Sequence, residues 1–80
     1  MRLDKYLKVS RLIKRRTAAG EACGGGRVSV NGKEAKPSCQ VKPGDMIEIR
    51  FGERAVRVEV LSVAEYAPKD EAHTMYREVL

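Results

Sequence analysis

The chain has 80 residues, with 16 Lys and Arg against 11 Asp and Glu, and a formal net charge of +5. We expect one small domain, residues 1–80, whose thin core leaves no room for a deep catalytic cleft. No apolar run approaches the roughly 18 residues of a membrane span and no signal-peptide pattern is visible, so we expect a cytoplasmic protein without a membrane partner.

Residues 1–10 are predicted to form a first short helix, because apolar residues recur there at helical spacing. Leu3 and Leu7 should point inward, and Tyr6 should lie at the edge of the core with its hydroxyl in water. Asp4 suits the positive N-terminus of this helix. Three cations step by three residues and lie on or beside one face: Arg2, Lys5 and Lys8.

Residues 11–14 connect this helix to a second one, which begins at Lys14-Arg15-Arg16. Cations at a helix start oppose its dipole and cost about 0.3–1 kcal/mol each where they are exposed. A bound anion would offset that cost, and the alternative is that the charges are solvated and merely tolerated. Small apolar residues form one face of this helix and three glycines end it: Ala18, Ala19, Ala22 and Cys23, then Gly24, Gly25 and Gly26.

The stretches after residue 27 alternate apolar and polar residues, which is the pattern of half-buried strands. Val28 and Val30 form the first strand, and Asn31-Gly32 predicts a two-residue hairpin turn before a short returning segment at 33–36. Val41 begins another extended piece. A turn at 42–45 then has Pro at its second position and Gly at its third.

Two longer strands are predicted over 46–51 and 54–60, joined by a turn at Gly52-Glu53. Their inward side chains should be Ile47, Ile49, Phe51, Val56, Val58 and Val60. The prediction is an α+β fold, with two short N-terminal helices packed on a small, twisted, mostly antiparallel sheet.

Residues 69–80 carry apolar side chains at helical spacing, namely Ala72, Met75, Tyr76 and Val79. This segment forms either a C-terminal helix docked on the sheet or a tail that orders on a partner. The sequence leaves both alternatives open and places the core of the domain at about residues 1–60.

No arrangement of residues favours an enzyme. The acids are spread over predicted solvent faces, and His73 lies in a polar segment where we expect it to be exposed. Cys23 and Cys39 lack a local base or further metal ligands, so we expect buried free thiols, no disulfide, no zinc site and no cofactor. The glycines at 24–26 lack the Lys-Ser/Thr of a P-loop, and the helix precedes the strand.

The charge is polarised along the chain. Residues 1–42 hold eleven Lys and Arg against three acids, whereas residues 43–80 hold five against eight. This distribution favours a polyanion partner on the N-terminal half. Because the chain has one Phe, three Tyr and no Trp, structured RNA recognised by backbone and shape fits better than single-stranded RNA, although composition alone does not separate RNA from DNA.

The pattern Arg16-x2-Ala19-x6-Gly26-x-Val28-x-Val30-Asn31-Gly32, preceded by Arg2-Leu3-Asp4 and Leu7, resembles the ribosomal S4-type RNA-binding domain, or αL motif. The turn at 42–45 occupies the place of the family's later turn. The resemblance covers roughly residues 1–60. The opening seventeen residues and the Met75-Tyr76 tail are similar to the stand-alone, RqcP-type members, which are related to the small heat-shock ribosome-binding proteins.

The resemblance implies a non-enzymatic factor of ribosome-associated quality control. Its implied partners are large-subunit rRNA, tRNA, the large ribosomal subunit with an obstructed nascent chain, and an RqcH-type tailing factor. Such proteins hold peptidyl-tRNA in the P-site and support C-terminal alanine tailing. The RNA-binding residues expected on this chain are Arg2, Asp4, Lys5, Lys8, Arg11, Lys14, Arg15, Arg16, Arg27 and Lys33. Arg2 and Arg16 would contact phosphates, and Asp4 would orient a base or a neighbouring Arg.

Two other functions stay open at this point. One is heat-shock-type subunit recycling or general rRNA binding, although residues 61–80 hold two bases against four acids instead of a long basic extension. The other is an RNA-modifying complex whose catalytic half is a separate chain. Away from the ribosome we expect a monomer.

Overall fold

Two short helices precede a five-stranded antiparallel sheet in the computed structural model, which describes residues 1–64, 68 and 70–79. The helices are α1 (Leu3–Val9) and α2 (Arg16–Gly24). The strands are β1 (Val28–Val30), β2 (Lys33–Glu34), β3 (Met46–Phe51), β4 (Arg54–Val60) and β5 (Tyr76–Glu78), in the order β2-β1-β3-β4-β5. The α+β fold predicted from the sequence is confirmed.

One hydrophobic core joins the helices to one face of the sheet. Its fully enclosed side chains come from α1, β1, β3 and β4, and include Leu3, Tyr6, Leu7, Val28, Ile47, Ile49, Val58 and Val60. From α2 the core takes the small residues Ala19, Ala22 and Cys23. Small side chains on α2 let the short helix lie close to α1 and β1, because little side-chain bulk separates the backbones.

Three burial predictions for the two helices and β3 are wrong. Tyr6 is 0% exposed, and its hydroxyl donates a hydrogen bond to the Met75 carbonyl at 2.7 Å instead of facing water. Ala18 is exposed, because the buried stripe of α2 runs through Ala19. Phe51 is 47% exposed, since it ends β3 beside the Gly52-Glu53 turn, where the core no longer covers the sheet.

The C-terminal helix is also not formed. Residues 72–75 make a single 3₁₀ turn, Ala72–Met75, and the chain then pairs antiparallel with β4 as strand β5. The backbone of β4 offers hydrogen-bonding groups along its free edge, and strand pairing satisfies them. Lys69 and Leu80, the ends of the predicted segment, lie outside the described residues.

All three predicted turns are confirmed, and two of them are linked. Asn31 (φ 54°) and Gly32 (φ 84°) form the two-residue hairpin between β1 and β2, where both positions need positive φ. In the second turn Gly44 has φ 94°, and the Asp45 N–H donates to the Lys42 carbonyl at 3.1 Å. The Asp45 carboxylate then accepts hydrogen bonds from the Asn31 side chain and the Lys42 N–H, which locks the two turns together.

Residues 37–41 form a strap across the N-terminus of α1. The Leu3 N–H donates to the Cys39 carbonyl at 2.7 Å, and the Asp4 N–H donates to the Pro37 carbonyl at 3.1 Å. Arg2 pairs with Gln40 in an isolated antiparallel bridge. The strap satisfies amides that a helix start normally leaves free, so an anion near α1 must be bound by side chains.

Candidate nucleic-acid interface

The carboxylate of Asp4 joins the starts of the two helices. The Arg2 guanidinium donates to it through Nε and Nη2, each at 3.2 Å. Arg16, at the first position of α2, places Nη2 3.5 Å from the same carboxylate. The Lys5 N–H donates to Asp4 Oδ1 at 2.8 Å. We call Arg2, Asp4 and Arg16 the Asp4 cluster.

The Asp4 cluster presents two oriented guanidinium groups to solvent. The Asp4 side chain is 9% exposed, whereas those of Arg2 and Arg16 are 49% and 50% exposed. Each guanidinium carries five N–H donors, and neither uses all of them on Asp4. With two positive charges against one negative, the cluster can bind an anion bidentately without first ordering its side chains.

The ionised form of Asp4 is stabilised by its partners. Burial alone raises the pKa of Asp4, but the Arg2 and Lys5 hydrogen bonds and the nearby Arg16 charge hold that pKa below its ordinary value of 3.8. A pKa that is lower in the folded than in the unfolded chain means that ionised Asp4 contributes stability above pH about 4. That contribution is lost as the pH falls through the lower, folded-state pKa.

Asp4→Asn is therefore expected to lower the free energy of unfolding by about 1–2 kcal/mol at pH 7, because the two half-exposed arginines lose their charged acceptor and retain only a neutral amide oxygen. The difference between variant and wild type should shrink as the pH falls below about 4 and should vanish below the lower, folded-state pKa, where wild-type Asp4 is also neutral. Urea unfolding of wild type and variant, at pH 7 and at a pH well below about 4, measures this difference in the free energy of unfolding. A difference that is the same at both pH values would contradict the stabilising role of the carboxylate.

The first turn of α2 contains no group that compensates the cations at its start. Arg15, the residue before the helix, makes no capping hydrogen bond, and the first turn of α2 holds no acid. Lys14 and Arg15 are exposed. An N-terminus built only for stability would have a capping side chain and an acid. The unfavourable cations that the sequence indicated at this helix start are present, and Asp4 compensates only the charge of Arg16.

Arg11 follows α1 in the left-handed conformation, with φ 63°, and its N–H donates to the Lys8 carbonyl at 3.1 Å. Glycine is the usual residue at this position after a helix, because a side chain is strained there. Arg11 is exposed. An exposed cation in a strained conformation has no evident benefit for folding.

Arg11→Gly is therefore expected to leave stability unchanged or to raise it by up to about 1 kcal/mol, since the strain is removed. If Arg11 contacts phosphate, the same change weakens RNA binding by about five- to tenfold. Thermal unfolding and tRNA-binding titrations on the same preparation separate the two effects. Loss of both stability and binding would indicate a structural role for Arg11.

The structure brings together only part of the predicted site. Arg2, Asp4 and Arg16 meet in one cluster, Lys5 adjoins it through its backbone, and Lys8 is exposed one turn further along α1. Arg27 lies at the opposite end of α2, about 13 Å from its start, with its side chain over Gly25. There its positive charge interacts favourably with the negative end of the helix dipole, which explains an arginine at this position without an RNA contact. Lys33 lies on the edge strand β2.

The resemblance grouped Asp4 with Arg2 and Arg16, but residue spacing did not show that the Asp4 carboxylate joins both helices. Arg16 is twelve residues away, and no local spacing rule relates the two positions. The strap over α1 was missed as well, because Gln40 and Cys39 carry no strand pattern. Asp4 is the one acid among the first sixteen residues. Its isolation among cations was the sequence signal that could have indicated its contact with Arg16.

Among the residues that the structure describes, the other reactive groups do not form a second centre. Burial raises the pKa of the Cys23 thiol to about 11, and the neighbouring Asp4 charge adds to this, so the thiol stays protonated. Cys39 is only half-buried, contrary to expectation, and both cysteines are free. His73 is exposed. Within residues 1–64, 68 and 70–79, no group of three His, Cys, Asp or Glu side chains is placed to hold a metal ion. No helix in that part of the chain has the length and apolar character needed to cross a membrane.

Comparison with known proteins identifies relatives of this chain. Residues 1–47 match the S4 domain family. The chain is 58% identical over 76 residues to the RQC P-site tRNA stabilizing factor of Halalkalibacterium halodurans, covering 95% of this chain and 86% of that protein. It is 55% identical to the Bacillus subtilis protein of the same name, covering 95% and 88%. The trimeric structure of Vibrio cholerae heat shock protein 15 superposes with a TM-score of 0.91 at 35% identity, covering 99% of this chain and 81% of that one.

Proposed function

Because the chain belongs to the S4 domain family, we propose that it binds structured RNA without catalysing a reaction, using the Asp4 cluster and the exposed cations beside it. The proposed contacts beyond Arg2 and Arg16 come from Lys5, Lys8, Arg11, Lys14 and Arg15. The observation that carries the proposal is the pair of half-exposed guanidinium groups that Asp4 fixes at the starts of α1 and α2. Arginines held in this way suit bidentate recognition of phosphate.

The proposed setting is ribosome-associated quality control in the cytoplasm. The names of the Halalkalibacterium and Bacillus relatives support it, as does their similarity to nearly the whole of this chain. In this role the protein, a monomer when free, holds P-site peptidyl-tRNA on a large subunit with an obstructed nascent chain. It contacts tRNA and large-subunit rRNA, and so supports alanine tailing by an RqcH-type factor.

Complementation tests this role. In cells that lack the gene, wild-type protein should restore alanine-tailed fragments of stalled nascent chains, whereas Arg16→Gln should restore few. Arg16→Gln keeps Asp4 hydrogen-bonded to Arg2 and the Lys5 N–H, so folding is retained. Arg57→Gln is the matched control, because Arg57 also pairs with one acid, Glu48, but lies on β4. Equal restoration by both variants would contradict the assignment of the surface.

Subunit recycling of the heat-shock type is the second candidate, and the fold similarity to the Vibrio protein favours it. The two functions predict different effects of deleting the gene on alanine tails and on free large subunits. Loss of alanine tails with normal levels of free large subunits supports tRNA stabilisation. Intact tails with accumulating subunits that retain nascent chains support recycling.

A further inference from the structure

A groove of about 720 Å³ lies between the β1–β2 hairpin and the strap. Its rim carries three lysines, Lys33, Lys36 and Lys42, all of them exposed. Lys33 was expected at the RNA surface from the sequence, whereas Lys36 and Lys42 were not singled out. We call this feature the lysine groove.

The lysines of the lysine groove are not engaged in ion pairs. In the described part of the chain none of its three lysines forms an ion pair. The two acids that line the groove are not paired with these lysines. Asp45 accepts hydrogen bonds from Asn31 and the Lys42 N–H, and the Glu34 carboxylate lies against Gly26.

The outer face of the sheet shows the opposite arrangement. Arg57 pairs with Glu48 at 3.1 Å, Arg50 lies 3.9 Å from the same side chain, and Arg77 pairs with Glu59. Each of these arginines lies within ion-pair distance of an acid, on the facing strand for Arg57 and Arg77 and on the same strand for Arg50. The cations of the outer face are therefore paired with acids, whereas the lysines of the groove are not, and cations without an ion-pair partner are available to a polyanion.

The lysine groove adjoins the Asp4 cluster. Gln40 lines the groove and also pairs through its backbone with Arg2. The groove walls are fixed by the hydrogen bonds of the strap and of the two turns, so the lysines project from a rigid frame. No aromatic side chain lines it, which excludes a stacking platform for unpaired bases among its described residues.

We propose that the lysine groove holds the phosphate backbone of double-stranded RNA and extends the surface that begins at the Asp4 cluster. This inference rests on the proposed function and adds a second set of contacts to it. Lysines serve as point charges for phosphates, so the groove contributes affinity and salt dependence, while the arginines of the Asp4 cluster set the orientation.

The test compares two variants with the same loss of charge. Lys33→Gln/Lys36→Gln/Lys42→Gln removes the three cations of the groove, and Arg50→Gln/Arg57→Gln/Arg77→Gln removes three cations from the outer face. The probe is a labelled RNA hairpin with a stem of about 16 base pairs, titrated over a series of salt concentrations. Circular dichroism confirms that both variants are folded.

The lysine variant should bind about tenfold more weakly near 0.1 M salt, and its slope of log affinity against log salt should be shallower by about 2–3. The outer-face variant should bind almost as wild type does. Equal losses in the two variants, or an unchanged slope in the lysine variant, would overturn the groove assignment. Failure of the wild-type protein to bind the hairpin would instead contradict the proposed function.

Discussion

Replacing the Asp4 cluster with uncharged amides, as Arg2→Gln/Asp4→Asn/Arg16→Gln, is expected to lower the affinity for large subunits carrying P-site tRNA by about 100-fold. The reason is the loss of two charge-assisted phosphate contacts, each worth about 1.5 kcal/mol or more. The net charge falls by a single unit, so general attraction to RNA is nearly unchanged. Co-sedimentation with purified subunits, quantified over protein concentration, measures the effect.

The outer face of the sheet provides a control of the same composition. Glu48 lies between Arg50 and Arg57, as Asp4 lies between Arg2 and Arg16. Arg50→Gln/Glu48→Gln/Arg57→Gln removes the same charges and should leave subunit binding within about twofold of wild type, since these are ordinary surface pairs. If the two triple variants bind alike, RNA recognition does not depend on the Asp4 cluster.

Truncation of Tyr6 is expected to have the largest effect on folding. Tyr6→Ala removes a fully enclosed aromatic ring and should cost about 3–5 kcal/mol. A chain of this size has a total stability of about 4–12 kcal/mol, so the variant should be partly or wholly unfolded at 37 °C. Thermal unfolding followed by circular dichroism should show a midpoint lowered by about 15 °C or more.

Tyr6→Phe keeps the ring and isolates the hydroxyl. Its cost should be about 0.5–1.5 kcal/mol, at the low end of the range because the Met75 carbonyl still accepts the Leu61 N–H at 2.8 Å. Burial, reinforced by Tyr76, raises the pKa of Tyr6 above its ordinary value of 10.0. Wild type should therefore lose stability above pH about 10, while Tyr6→Phe loses less. A Tyr6→Phe variant as unstable as Tyr6→Ala would mean that the hydroxyl, not the ring, holds the core together.

Local signals predicted the elements that depend on local chemistry. Asn31, Gly32 and Gly44 specify their turns through positive φ, Pro43 contributes its fixed negative φ, and the alternation in β3 and β4 specifies their buried face. The helix starts followed from apolar spacing and from the position of the cations. These features need no knowledge of distant residues.

The errors fall where distant residues decide the outcome. Tyr6 is buried because residue 75 returns to accept its hydroxyl, and residues 76–78 form a strand because β4 has a free edge. The helical spacing in the C-terminal segment corresponds to a single 3₁₀ turn over Ala72–Met75, after which the chain pairs with β4. In the candidate site, Asp4 could be assigned to an arginine, but its contact with Arg16 depends on how the two helices pack.

The hydrogen bond between Tyr6 and Met75 also bears on the order in which the fold is completed. It joins residues that are 69 positions apart in the chain. During synthesis the N-terminal residues emerge first, so this contact forms only after residue 75 has left the ribosome. The final packing of α1 is thus coupled to a contact between residues that are distant in sequence.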